Sequence, residues 1–424
     1  MIDTSLDTLQ GLSARGTLWL IVLLGAMAGL GPLAIDTYLP GFPAIATQFG
    51  VSVGSVEITL ATYFAGISVG QLLYGPFTDR FGRKRPLYVG LITFVIASVG
   101  CAYAPSLAVL AVLRFFQAIG GCAEMVVARA MVRDYFGARE SARVFSFLML
   151  VMGVAPIMAP LLGGTLVVHF GWRSIFGFLC AFASLCLVNV TFFLRESHPP
   201  AKRRAETLRS AVKLYGRLLR DRTFLAYALS GSLLAAGMFA YIAGSPFVFI
   251  ELFHVRPDRF GWFFGINAAG IILASQINGF LARRVDPHKT LRVAQTVAAV
   301  AGIILFVMGR TRTGGFAGIL IPLFIFVSCY GFSIPNSTAL AMAPHGKVAG
   351  SASAVVGFLQ FLVSGIAGLS VSLLHDGTIF PMTFVMACVG SLALLINLLA
   401  VPATPVMTPG GGSPVLSAPG ERGR

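Results

Sequence analysis

Charge is scarce in this chain of 424 residues: Asp, Glu, Lys and Arg together make up 11% of it. That is under half the share usual in soluble domains, and it excludes the two or three soluble domains that length alone allows. Acidic residues number sixteen and histidines six, the latter scattered near loops with no metal-ligand spacing. The six cysteines (Cys101, Cys122, Cys180, Cys186, Cys329 and Cys388) fall inside apolar runs and read as small packing residues, which excludes a disulfide framework. No nucleophile, base or metal constellation stands at membrane depth, so no enzyme activity, cofactor or metal is expected. The opening residues lack a basic stretch and carry Asp3 and Asp7 instead, so no cleavable signal peptide is expected.

Apolar residues fill the gap: 56% of the chain is hydrophobic, and the mean hydropathy is +0.84. Apolar stretches of about 20 residues, enough to cross about 30 Å of hydrocarbon, recur from Trp19 to Ala400. They predict twelve spans, at 17–39, 54–76, 86–104, 107–131, 143–167, 172–194, 223–250, 260–282, 290–309, 315–340, 350–374 and 380–401. The fold class is an all-α membrane protein. The net charge of +15 follows this topology, since 25 of the 31 Lys and Arg residues fall on one side of the alternating spans. That bias puts both termini in the cytoplasm and draws anionic lipid to that side. No basic domain stands apart from the spans, so no nucleic-acid partner is expected.

The chain divides into a cytoplasmic N-terminal segment (1–16), a six-helix bundle (17–194), a cytoplasmic linker (195–222), a second six-helix bundle (223–401) and a disordered Gly/Pro/Ser-rich tail (402–424). The linker carries the Pro199-Pro200 pair and many basic residues, and predicts a short interfacial helix. Six plus six spans suggest duplication. GPFTDRFGRKRPL (75–87) and GFLARRVDPHKTL (279–291) occupy equivalent places in the two halves, with Gly75 matching Gly279, Arg80 matching Arg284 and Leu87 matching Leu291. A parallel repeat about an axis normal to the membrane gives this pattern.

The first of these stretches resembles the loop signature of the major facilitator superfamily. AIDTYLPGFPAI (34–45), LRFFQAIGG (113–121) and APIMAPLLGG (155–164) are similar to the twelve-helix drug:proton antiporters. AMAPHGKVAGSASAVVGFLQF (341–361) resembles the Bcr/CflA group. The resemblance implies a major facilitator fold in a bacterial inner membrane, two six-helix bundles rocking around a central cavity. It further implies export of bicyclomycin- or chloramphenicol-like compounds in exchange for protons. A monomer is expected.

In the loop, Gly75 and Gly82 let the chain turn tightly and approach another helix. Asp79 is an anion suited to the unpaired amides of a helix start. The resemblance implies that this is the eleventh helix, near Val348-Ala349-Gly350. Asp79, flanked by Arg80 and Arg83, would then latch the halves shut on the cytoplasmic side. On the residues alone, Asp79 pairing with Arg80 or Arg83 on a solvated loop is the alternative. In GVAPIMAPLLGG (153–164), Gly153, Pro156, Pro160 and Gly164 form a narrow stripe at spacings of three and four, with Gly163 adjoining. The prolines should bend this helix, and small residues let another helix pack closely. The resemblance makes this the antiporter signature at the contact between the halves.

A charge at mid-bilayer costs about 2.5–3.5 kcal/mol on insertion scales, so such residues serve a pathway or a pair. Asp36, Glu124 and Arg114 lie well within spans. At 1.5 Å per residue, Asp36 falls near the outer side and Arg114 about 10 Å below that surface. Asp36 is therefore the expected proton carrier and Arg114 a fixed charge that tunes it. Gln117, one turn on, shares the Arg114 face. For Asp36 the alternative is an interfacial residue at a helix end, since Tyr38-Leu39-Pro40 follows. Glu124, about 15 Å below Arg114, is expected in a cytoplasmic charge network with Arg129, Arg133 and the Asp79 loop rather than in proton carriage. Tyr63, Tyr241, Asn267, Asn336 and Gln360 are candidates, beside Gln117, to line an apolar cavity suited to a small lipophilic substrate. An uptake symporter or facilitator of an endogenous metabolite is the rival reading, and the stripe at 153–164 argues against it.

Overall fold

The computed structural model describes residues 14–136, 138–199, 208–282 and 284–400. The expected N-terminal segment as far as residue 13, the tail from residue 401 and residues 200–207 of the linker lie outside the described residues. The first half comprises α1 (Ala14–Asp36), α2 (Phe42–Phe49), α3 (Val53–Phe81), α4 (Lys84–Ala102), α5 (Leu107–Tyr135), α6 (Ala138–Phe170) and α7 (Arg173–Phe192). The linker holds α8 (Leu208–Leu218). The second half comprises α9 (Arg222–Pro246), α10 (Pro257–Leu281), α11 (Pro287–Thr311), α12 (Gly315–Met342), α13 (Ala349–Leu373) and α14 (Phe380–Ala400). Among the described residues, twelve stretches are long and apolar enough to cross a membrane, and their order matches the twelve predicted spans.

Hydrocarbon offers the backbone no hydrogen bonds, so the chain satisfies them within helices and caps the ends from side chains. Ser52 and Ser106 accept from Ser55 N and Val109 N, and Asp221 accepts from Thr223 N and Phe224 N. Apolar side chains such as Val89, Ile96, Trp262 and Leu399 point outward. Arg114, Gln117, Glu124 and Gln295 are sealed inside.

Two local details differ from the sequence reading. Helix α3 continues through Pro76 to Phe81, so Gly75 is helical and the tight turn falls at Gly82, with φ +86°. Proline 76 has no amide to give the Leu72 carbonyl one turn back. The Tyr215 hydroxyl of α8 supplies that bond instead, at 3.1 Å, and passes close to Gly75. Helix α6 carries the expected Pro156 and Pro160 inside one helix, Ala138–Phe170, and is not a departure from that reading. Helix α1 stops at Asp36, and α2 follows as a separate short helix.

The duplication is visible in the packing. In the first half α3 and α4 pack on α5, and α4 on α7; in the second half α10 and α11 pack on α12, and α11 on α14. The halves meet through two matched pairs, α3 with α13 and α6 with α10, as a two-fold axis normal to the membrane requires. We call the end bearing Gly82 and α8 the linker end and the opposite one the far end.

At the far end the seam is tight. Ser372 Oγ donates to the Gly54 carbonyl at 2.5 Å, and the His375 ring lies against Gly54 and edge-on to Phe247 at 4.5 Å. Toward mid-membrane, Ser68 Oγ donates to the Phe358 carbonyl at 3.0 Å and Gln71 abuts Gly357. Nearer the linker end, Gly350 and Gly279 have open space where a side chain would stand. The two halves are thus closed at the far end, while Gly350 and Gly279 leave room near the linker end.

Burial pulls the His375 imidazole below the usual histidine range, with Asp376 pulling the other way. A group whose packed-state pKa is lowered favours the packed state above its free value, about 6.5, and loses that contribution as pH falls through the lowered pKa. Acidifying the far-end compartment to about pH 5 is therefore expected to raise labelling of a Val53→Cys probe. His375→Phe should label alike at both pH values.

Candidate transport site and its gates

Arg114 enters the first half from α5 and is fully buried. Its Nη2 donates to the Ala34 carbonyl at 3.1 Å, and its Nη1 donates to Gln117 Oε1 at 2.6 Å. Gln117 Nε2 donates onward to Ser98 Oγ at 2.7 Å, and Ser98 donates to the Phe94 carbonyl. The rings of Tyr63 and Tyr38 stand 4.1 and 4.5 Å from the guanidinium carbon, with Phe176 at 5.9 Å. This aromatic cage supplies the electron density that a carboxylate otherwise would.

Asp36, two residues beyond the Ala34 carbonyl, is 4% exposed. No ion pair joins it to Arg114, and it has no hydrogen-bond partner among the described residues. The turn that follows it, Leu39–Gly41, packs on α9 and α10 of the other half, which places it at the seam. Arg114 therefore holds the α1 backbone beside Asp36 instead of pairing with the carboxyl.

Across the seam, the Tyr241 hydroxyl accepts from Asn267 Nδ2 at 3.1 Å, and its ring stacks on Phe264. Asn267 Oδ1 is buried with no partner among the described residues. These two residues lie on α9 and α10, the helices on which the turn after Asp36 packs. Asn336 is elsewhere: its Nδ2 donates to Asn278 Oδ1 at 2.6 Å, joining α12 to α10. Gln360 is half-buried on α13, next to Phe361, whose ring meets Phe64 and Phe239 at the centre of the molecule.

The loop after α3 is braced inside its own half. Arg83 Nη1 donates to Asp79 Oδ1 at 2.8 Å, and its Nε to Asp134 Oδ2 at 2.9 Å. Glu196 accepts from Arg83 N and Lys84 N, capping α4. Arg80 lies over the Phe81 ring. The Asp79 side chain is 52% exposed, and its ionic partner is Arg83, the arrangement given above as the alternative to a latch. Among the described residues no bond from Asp79 to the start of α13 is made in this conformation, where Gly350 has open space beside it.

The stripe on α6 does face the other half. A side chain at Gly153 would meet Ile272, and one at Gly164 would run into the backbone of Pro257 and Asp258, all on α10. Gly163 instead abuts the Thr37 backbone just after α1. Pro160 is buried and Pro156 half-buried.

Glu124 departs furthest from the sequence reading. It joins no charge network: both carboxyl oxygens are buried without a partner among the described residues. Asp134 and Glu196 are the acids that brace the loop. Sequence reasoning missed them because an acid near a span end looks like any solvated charge until its partner's position is known. The Tyr38, Tyr63 and Phe176 cage was likewise hidden, since aromatic residues abound and ring contacts are tertiary.

Residues 22–369 match the family model of the Major Facilitator Superfamily. The chain is 37% identical over 386 residues (90% of this chain, 96% of the relative) to an uncharacterized MFS-type transporter, YdgK, of Bacillus subtilis. Over 376 residues (88% and 94%) it is 31% identical to a bicyclomycin resistance protein homolog of Haemophilus influenzae. Over 383 residues (90% and 95%) it is 27% identical to the multidrug resistance protein MdtL of Escherichia coli. Its fold is similar to that of the D-xylose-proton symporter, with a TM-score of 0.71 at 16% identity over 92% of this chain and 98% of that one. With twelve crossings in two halves joined by matched helix pairs, and with these likenesses, the chain belongs to the major facilitator superfamily: it is a multi-pass membrane transporter, not an enzyme.

Proposed function

We propose that the protein is a proton-coupled antiporter that exports small, mainly lipophilic compounds from a bacterial cytoplasm by alternating access. The carrying observation is Asp36: a carboxyl 4% exposed, at the seam, without an ionic partner. A carboxyl in that setting costs least when its charge comes and goes with the transport cycle. Two relatives with drug-resistance names support the cargo class. In this reading the linker end faces the cytoplasm together with both termini, anionic lipid gathers there, and the conformation closed at the far end is the inward-facing state. The protein works as a monomer.

In the opposite state Asp79 closes onto the amides at the start of α13, and its bond to Arg83 is the resting arrangement between closures. A carboxylate at a helix start contributes about 0.3–2 kcal/mol, so Asp79→Asn should slow export by roughly 2- to 30-fold with expression unchanged. Export at the unmodified rate would remove the latch. The reading as a whole is tested by flux of chloramphenicol in proteoliposomes under an imposed pH difference. Uphill movement opposite to the proton supports it, while movement in the same direction as the proton, or of a metabolite only, favours a symporter.

A further inference from the structure

Glu124 is left without work by the mechanism above, yet it is the most isolated acid in the first half. It lies on α5 about 15 Å beyond Arg114 toward the linker end. Its side chain is shut off from solvent, and neither oxygen has a hydrogen-bond or ionic partner among the described residues. The Tyr63 hydroxyl of α3 stands against Gly121, one turn before Glu124, and the Tyr74 hydroxyl against Gly90 of α4, which abuts Ala123. The Cys186 thiol of α7 is also buried in this half. Arg114 and Arg129 on its own helix form no ion pair with it. No cation from α1, α3, α4 or α7 pairs with it among the described residues. A charge without water or partner is costly in an apolar interior, and a bound proton removes that cost.

A second observation links this acid to the site at the seam. Tyr63 packs its ring on the Arg114 guanidinium, and its hydroxyl stands against Gly121, one turn before Glu124 on α5. Asp36, Tyr63 and Glu124 therefore descend in one half from the far end toward the linker end. Acids retained inside a membrane in such a series serve proton relays.

We propose that Glu124 is a second proton-carrying carboxyl, so that each cargo molecule leaves in exchange for two protons. This rests on proton exchange at Asp36 as read above. The step moves protons only. An O–H bond forms on Glu124 as a proton borne by far-end water arrives, and it breaks when linker-end water takes that proton, the carboxylate keeping the electron pair.

The experiment is steady-state accumulation of chloramphenicol in proteoliposomes, with the membrane potential clamped by valinomycin and potassium. Per unit of pH difference, one proton sustains a cargo ratio of about tenfold and two sustain about 100-fold. The unmodified protein is expected near the higher ratio, Glu124→Gln near the lower, and Glu124→Asp near the higher again. An unmodified protein at the lower ratio, or a Glu124→Gln variant that matches it, overturns the proposal and leaves the role of Asp36 standing. A second readout does not depend on transport. Dicyclohexylcarbodiimide attacks protonated carboxyls in apolar surroundings, and in Asp36→Asn protein it should mark Glu124, less so as pH rises. No adduct at Glu124 at any pH overturns the proposal. If the unmodified protein moves no chloramphenicol against the gradient, the export reading falls and the carbodiimide result alone decides Glu124.

Discussion

Asp36→Asn is expected to abolish uphill export while leaving the protein folded and able to bind cargo. Asparagine keeps the size of aspartate and removes only the ionisable oxygen, so packing against the seam is preserved. The Arg114 bond goes to the Ala34 carbonyl, not to the carboxyl, so the buried network from Arg114 through Gln117 to Ser98 stays intact. With a pH difference of two units, even one proton per cargo sustains a ratio of about 100-fold. In the variant that ratio should fall to unity, measured as accumulated chloramphenicol in proteoliposomes, because the proton on Glu124 is exchanged only in a turnover that Asp36 has opened by exchanging its own. A variant that still concentrates cargo against its gradient would exclude Asp36 as the carrier.

The next largest effect should come from a single methyl group. Gly164 of α6 meets the backbone of Pro257 and Asp258 where α10 begins, and a Cβ there overlaps main-chain atoms that cannot rotate away. Overpacking of this kind costs about 1–3 kcal/mol, and here it falls only on the state in which the far end is closed. Gly164→Ala is therefore expected to shift the population away from that state by roughly 5- to 150-fold. Labelling of a Val53→Cys probe should rise and export should drop correspondingly. Gly177 on α7 provides the control, since nothing lies within 4 Å of the position its Cβ would take. Gly177→Ala should transport normally. Equal effects at both positions would mean that the stripe has no special part in closure.

The sequence disclosed the elements of this molecule better than their partnerships. Hydropathy located every crossing because lipid demands long unbroken apolar helices, and the scarcity of buried charge singled out Asp36, Arg114 and Glu124. The spacing of Gly153 and Gly164 marked the face that meets the other half. What failed were inferences about which charges meet. Arg114 was expected to tune Asp36 directly, but a guanidinium reaches several partners, and two tyrosine rings and a carbonyl claim it. Glu124 was expected among the arginines of α5, but five residues of helix turn it away from Arg129. Gly75 reads as a turn because it has no Cβ, and nothing local announces that a tyrosine 140 residues later repairs the backbone bond lost at Pro76.

That repair has a mechanical consequence. Helix α8 leads directly into the second half, yet one hydroxyl buttons it to the Leu72 carbonyl of the first. When the bundles rock, α8 must travel with one of them. If it follows the second, the button opens and Leu72 is left with no donor from Pro76. The connecting segment is then more than a tether. Opening that bond would leave one carbonyl without its donor, a cost that would favour the posture described here.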